Sequence, residues 1–171
     1  MAQRLKLEFF VTGFWLAVCQ VALTFHLLYS QGASIVYYFV LLLLWLAAST
    51  LALFVFKSRS GLSMLKLISL VTFLLACYMA RSEAFTNISL IFVLLSVVVF
   101  GLFAGWFFKE SVERSNNVSG FLLIENNGFI LGYILAGVLL FYSIMTLDMV
   151  AIILGLLLFC FDFFNVEDKE S

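Results

Sequence analysis

Residues 35–56 read IVYYFVLLLLWLAASTLALFVF, 22 positions without a charged side chain. A helix rises about 1.5 Å per residue, so about 20 apolar residues cross the hydrocarbon core of a bilayer. This stretch is therefore expected to be a transmembrane helix. It starts after the polar break Ser30-Gln31-Gly32-Ala33-Ser34 and stops at Lys57-Ser58-Arg59. Outward from it, the same reading gives apolar runs at 9–29, 62–80, 84–108, 120–147 and 149–164. Lys66 interrupts the third run, with a stem long enough to carry its ammonium to the interface. The sixth run is the shortest, and five spans is the alternative if it only lies on the membrane surface. The expected fold is all-α: one polytopic bundle of about six spans over residues 1–166, followed by a short acidic tail at 167–171.

Composition supports the bilayer as solvent. Hydrophobic residues make up 65% of the chain and charged residues 11%, against roughly 25% charged in a soluble domain. Mean hydropathy is +1.19. A net charge of −1 with no basic cluster argues against a nucleic-acid partner. The first run follows Arg4 and Lys6 as a signal peptide would, but it is too long for an h-region and lacks a small-residue cleavage site. It reads as a permanent span.

The nine Lys and Arg residues set the expected orientation. Arg4 and Lys6 precede the first span. Lys57, Arg59 and Lys66 fall between the second and third, Lys109 and Arg114 between the fourth and fifth, and Lys169 in the tail. Only Arg81 falls on the other side. Positive residues concentrate on the cytoplasmic side of a membrane, so both termini are expected in the cytoplasm, with the chain in the cytoplasmic (inner) membrane. Tyr29, Tyr37, Tyr38 and Tyr78 then lie at the outer headgroup level and Trp106 at the inner one. The triplets Asn87-Ile88-Ser89 and Asn117-Val118-Ser119 match a glycosylation acceptor but lie beside a span or on the cytoplasmic side.

Polar groups inside a membrane are costly and raise a functional question by default. Gln20, in the middle of the first span, suits an interhelical hydrogen bond. His26, one turn before the outer end of that span, reads as an interfacial hydrogen-bonding group or a proton carrier. As the sole histidine it excludes a bis-histidine haem. With 128–147 already long enough to span, Glu125, Asn126 and Asn127 are expected at the inner headgroup level. There Glu125 would offset the positive end of the fifth helix. Asp162 lies 14 positions beyond a turn placed near Asp148, about 21 Å along a helix, and is the candidate for proton or ion coupling. Cys19, Cys77 and Cys160 are widely spaced in apolar runs with no CxxC pair, so neither a zinc site nor a redox pair is expected. No cofactor is expected. Gly101 and Gly105, and Gly128, Gly132, Ala136 and Gly137, form small-residue stripes that permit close helix approach. The fourth and fifth spans are expected to meet each other, or a partner helix, along them. The absence of proline argues against helices broken at the midplane.

Phe9-Phe10-Val11-Thr12-Gly13-Phe14, leading to Val18-Cys19-Gln20-Val21, resembles the opening stretch of the membrane domain of bacterial spermidine synthase-like proteins. So does Leu123-Ile124-Glu125-Asn126-Asn127-Gly128 with Gly132 and Gly137, where Glu125 stands for the family's aspartate. Phe103-Ala104-Gly105 and the turn at Gly32 fit the same pattern. The departures are Gln20 in place of an acid, a missing arginine near Phe25, and no aminopropyltransferase-type domain before Ser171. The resemblance thus implies a membrane domain that does not transfer aminopropyl groups by itself. Six spans with both ends inside also resemble half of a major facilitator transporter, with Arg59-Ser60-Gly61 at the position of its basic loop.

Two functions follow as expectations. One is a non-enzymatic membrane subunit packing against another membrane protein or itself, in contact with lipid. The other is a small transporter or half-transporter working as a dimer through intramembrane carboxylates.

Overall fold

The computed structural model describes the backbone of residues 2–32, 34–56, 61–114 and 118–167, and the side chains of these from 6 to 160. It contains six helices: α1 (Ala2–Gln31), α2 (Ile35–Val55), α3 (Leu62–Ser82), α4 (Asn87–Arg114), α5 (Val118–Tyr142) and α6 (Ile144–Glu167). No strand occurs among the described residues. Helices α1 to α5 are each long and apolar enough to cross a membrane. The fully described apolar part of α6, Ile144–Cys160, is shorter. Asn116, Asn117 and Lys169, together with Lys57 and Arg59, lie outside the described residues, as does the side chain of Asp162.

The helices end where local chemistry ends them. Ser34 N-caps α2, its hydroxyl accepting the Val36 N–H at 3.3 Å. Gly32 leaves α1 with φ +80°, a left-handed conformation suited to glycine. At the other end of α2, the Lys109 ammonium donates to the carbonyls of Leu53 at 3.1 Å and Phe56 at 3.0 Å. A cation there satisfies carbonyls that have no helical partner and offsets the negative end of the helix.

The turn between α5 and α6 lies at Ser143, not near Asp148. The Ser143 hydroxyl accepts the Thr146 N–H at 3.1 Å and so caps α6. Hydropathy alone favours a break at the charged residue, because one serine barely interrupts an apolar run. The shift has a consequence. Counting about 20 residues back from Tyr142 reaches Leu123, so Glu125, Asn126 and Asn127 fall within the crossing length of α5 rather than before it. Glu125 is also past the first turn of α5, which holds no acidic residue. The expected compensation of the helix dipole is therefore corrected.

Helix α1 forms the centre, with Trp15 through Cys19 and Ala22, Leu23 and Leu27 all buried. It packs most extensively on α5, and α2 packs likewise on α4. Glycines bring these backbones together. A Cβ on Gly13 would stand 2.6 Å from the Glu125 carbonyl oxygen, and one on Gly132 2.6 Å from that of Phe14. Gly128 lies directly against the Phe10 carbonyl. In the other pair, Gly101 faces Trp45 and Ala48 of α2, and Gly105 abuts the backbone of Ser49. The expected meeting of α4 with α5 along these residues is thus corrected: each stripe has its own partner, α2 for one and α1 for the other. Ala136 is buried, whereas Gly137 has open space where a side chain would stand.

Aromatic side chains fill what the glycines leave. Trp15 sits 5.1 Å from Phe100 and 5.7 Å from Phe103, and its indole N–H donates to the Ala151 carbonyl of α6 at 2.9 Å. Phe56 stacks on Trp106 at 4.1 Å, so this tryptophan closes the α2–α3 corner. Lys66 is buried in the bundle rather than reaching outward.

Adding a methyl group at a backbone contact forces helices apart, at a cost of about 1–3 kcal/mol. Gly105→Ala and Gly128→Ala are expected to lower stability by that amount in reversible denaturation in mixed micelles. Gly137→Ala, with nothing inside the chain to displace, is expected to raise the stability of the monomer, in micelles dilute enough to keep it monomeric, by up to about 1 kcal/mol through helix propensity. Equal effects at the three positions would contradict the packing described.

Candidate functional site

Helices α1, α3 and α5 finish at one end of the bundle, the distal end, where α2, α4 and α6 begin. Four residues meet there. His26 comes from the last turns of α1, Cys77 and Arg81 from those of α3, and Asp148 from the start of α6. His26 is 1% exposed, Asp148 3% and Cys77 5%. Each lies on the inward face of its helix because the neighbouring positions Leu27, Ala76, Ala80 and Leu147 also face the core.

The Asp148 carboxylate is the hub. His26 Nε2–H donates to it, 3.0 Å from Oδ1 and 2.9 Å from Oδ2. The Arg81 guanidinium donates to Oδ2. The Arg81 side chain is 41% exposed, so it runs from the carboxylate to the distal surface. As the only basic residue in the last turn of α3, it also offsets the negative end of that helix. A carboxylate carried into a protein interior is stable only with charge and hydrogen-bond partners, and removing one partner is strongly destabilising. Here the partners come from two other helices, so the interaction fixes α1, α3 and α6 against one another.

One buried group is left over. Nδ1 of His26 has no hydrogen-bond partner among the described residues. The donor atoms of His26, Cys77 and Asp148 all lie within 4.8 Å of one another, the one His/Cys/Asp/Glu group among the described residues with the spacing of a metal site.

The surrounding distal end is tied down by polar contacts. Phe85 N–H donates to the Ser30 carbonyl at 2.7 Å, and the Gln31 amide donates to Thr86 O at 3.0 Å and Ser89 Oγ at 3.1 Å. These bonds join the end of α1 to the α3–α4 turn, next to the cluster. Tyr29, Tyr38, Tyr78 and Tyr142 are exposed at this same end.

The residues singled out from the sequence are dispersed. Gln20 accepts a hydrogen bond from the Tyr133 hydroxyl at 2.5 Å, a link between α1 and α5. Both residues line an open cavity of about 150 Å³ with Thr24, Tyr38, Leu41 and Leu42. Glu125 lies half-buried where α5 crosses Gly13 of α1. Asn126 and Asn127 point away from the bundle. His26 is the one candidate at the cluster, and as a core residue rather than an interfacial group. Sequence reasoning missed Asp148, taken as a turn, and Arg81, taken as a charge on the outer surface. A single basic residue on the side where such residues are rare, together with a single acid near the start of the last helix, was the available signal. At the proximal end, Arg114 pairs with Glu110 at 3.1 Å and approaches Glu8 at 4.0 Å, which links α4 to α1.

No protein-family model matches the chain, and no curated protein or solved structure matches it either.

The hub makes a quantitative prediction. Arg81→Ala leaves a buried carboxylate without its cation and is expected to cost about 3 kcal/mol, with part of that recovered in Arg81→Lys. Arg81→Ala combined with Asp148→Asn should be less destabilised than the sum of the single changes, by a coupling of at least about 1 kcal/mol. Strict additivity in micellar unfolding would contradict the pairing.

Proposed function

We propose that the chain is a non-enzymatic subunit of a cytoplasmic-membrane assembly, with both termini in the cytoplasm, and that it docks on a second copy of itself along the outward face of α5. The observation that carries this is Asn127. Its carboxamide is exposed on the outside of the bundle, within the crossing length of an apolar helix. Lipid offers it no hydrogen bond, so its two donors and its acceptor require a partner.

The pattern around it selects the partner. Leu123, Asn127, Ile130, Ile134, Gly137 and Phe141 follow one another at spacings of four and three residues. That is the a/d repeat of two helices wound about each other, with one polar residue fixing register. Leu123, Ile130, Ile134 and Phe141 are exposed, and Phe141 is 92% exposed. The opposite face of α5, with Phe121, Gly128, Gly132 and Ala136, is already occupied inside the chain. A two-fold axis presents the same seam from both copies, and one asparagine amide then satisfies the other. Gly137 leaves room for closest approach. The expected subunit role is kept in this reading, but the face that serves it moves from the internal glycines to the outward seam. The cytoplasmic termini rest on the eight-to-one distribution of Lys and Arg between the two sides.

Cysteine cross-linking in bilayers, in a Cys160→Ser background, tests the reading. Asn127→Cys and Ile134→Cys are expected to give oxidised dimers at least five-fold more efficiently than Leu43→Cys, which is exposed on α2. Asn127→Leu, with a loss of about 1 kcal/mol, should weaken the dimer roughly five-fold. Stoichiometric recovery of a different membrane protein, with no dimer at any seam position, would reject self-association. A periplasmic location of tags on both termini would reject the orientation.

A further inference from the structure

We propose that His26, Cys77 and Asp148 form a binding site for one divalent transition-metal ion of the zinc class. This goes beyond the dimer reading and does not depend on it: the site is built from α1, α3 and α6, and the proposed seam lies on α5.

The donor set is the first argument. An imidazole nitrogen, a thiol sulfur and a carboxylate oxygen are the three donor types that zinc accepts. They come from three different helices and converge within 4.8 Å. Donors held about 2.0–2.3 Å from a tetrahedral ion stand roughly 3.3–3.7 Å from one another. His26 Nε2 is 2.9 Å and 3.0 Å from the two carboxylate oxygens. Between these two donors an opening of a few tenths of an ångström reaches that spacing, and the Cys77 sulfur lies within 4.8 Å of both.

The partners of Asp148 also suit a metal ligand. Arg81 alone neutralises Asp148, and it holds Oδ2. Oδ1 accepts from the His26 imidazole at 3.0 Å. In the metal-bound state Oδ1 becomes the ligand, and Arg81 on Oδ2 fixes the carboxylate from outside, the usual role of a hydrogen-bonded neighbour of a metal ligand. Cys77 is buried beside this carboxylate.

The proton balance is explicit. The ion arrives hydrated and sheds water to the three donors. The Cys77 thiol loses its proton to solvent as the sulfur–metal bond forms. The imidazole remains neutral: Nε2 gives its lone pair to the metal and the ring proton moves to Nδ1, the buried nitrogen that no described group engages, where one of the waters brought in with the ion accepts it. A thiolate and a carboxylate then offset the two charges of the ion, and the one positive charge left over is that of the Arg81 guanidinium, whose side chain is 41% exposed at the distal surface. The route inward runs past the half-exposed Arg81 side chain at the distal surface. Three protein ligands leave a fourth position open, as in zinc sites that exchange a ligand.

The widely separated positions 26, 77 and 148 explain why no ligand motif is visible in the sequence. Zinc motifs in sequences are short because two ligands usually share one loop or helix turn, whereas here each helix supplies one.

Cobalt(II) titration of the purified full-length protein in detergent provides the test. One equivalent is expected to give the intense visible absorption of four-coordinate cobalt and a near-ultraviolet sulfur-to-cobalt band, both displaced by zinc(II). About one proton should be released per ion. Cys77→Ser should remove the sulfur band, while Cys19→Ser and Cys160→Ser keep it. His26→Gln should weaken cobalt affinity at least tenfold, with circular dichroism confirming that each variant retains its helices. A wild-type protein that gives no sulfur band at one equivalent overturns the proposal, and so does a band that survives Cys77→Ser.

Discussion

The carboxylate of Asp148 has nowhere to go but inward, and the distal half of the molecule is arranged around that fact. Its position one turn into α6 points it at the core, where an unpaired charge is untenable. Arg81 and His26 meet it from α3 and α1. The contact therefore acts as a three-way clamp, and the short bonds from Gln31 and Phe85 close the same end around it. At the proximal half the constraint is different. There the helices are held by backbone proximity, with Gly13 and Gly128 between α1 and α5 and Gly105 between α4 and α2. Lipid tails do not drive helices together as water does, so polar pairing and close packing are the two remaining means. The distal end relies on the first, and the proximal half combines close packing with the Arg114 and Lys109 contacts.

Much of this architecture was legible in the residues. Charge-free stretches such as Ile35–Val55 admit only one reading in a chain this apolar, and the helix at those positions follows. The small-residue stripes at Gly101–Gly105 and Gly128–Gly132 marked close contacts, but their partners were not legible. A stripe states that something approaches, while which helix does so depends on the three-dimensional order of the bundle. The turn at Ser143 was missed because its signal is one hydroxyl capping Thr146, invisible to hydropathy beside a charged Asp148. That single displacement hid both the buried hub and the place of Asn127 well inside α5. His26 was noticed but its partner was not, since 122 residues separate it from Asp148.

Placing α5 correctly also separates its two faces. One face is consumed by α1, so its glycines have no surface left to offer another molecule. The other carries an exposed asparagine in a seam of exposed apolar residues, and the proposed assembly role rests on it. The distal cluster and this outward seam lie on different helices. The two proposals built on them can therefore succeed or fail separately.

Amide hydrogen exchange in bilayer discs, comparing the wild type with Asp148→Asn, tests the clamp most directly. If one carboxylate holds three helix ends, its loss should lower protection together in the last turns of α1, the last turns of α3 and the first turns of α6. The glycine-packed proximal halves of α1, α2, α4 and α5 should keep theirs. Loss of protection confined to α6, or spread evenly along every helix, would contradict the account.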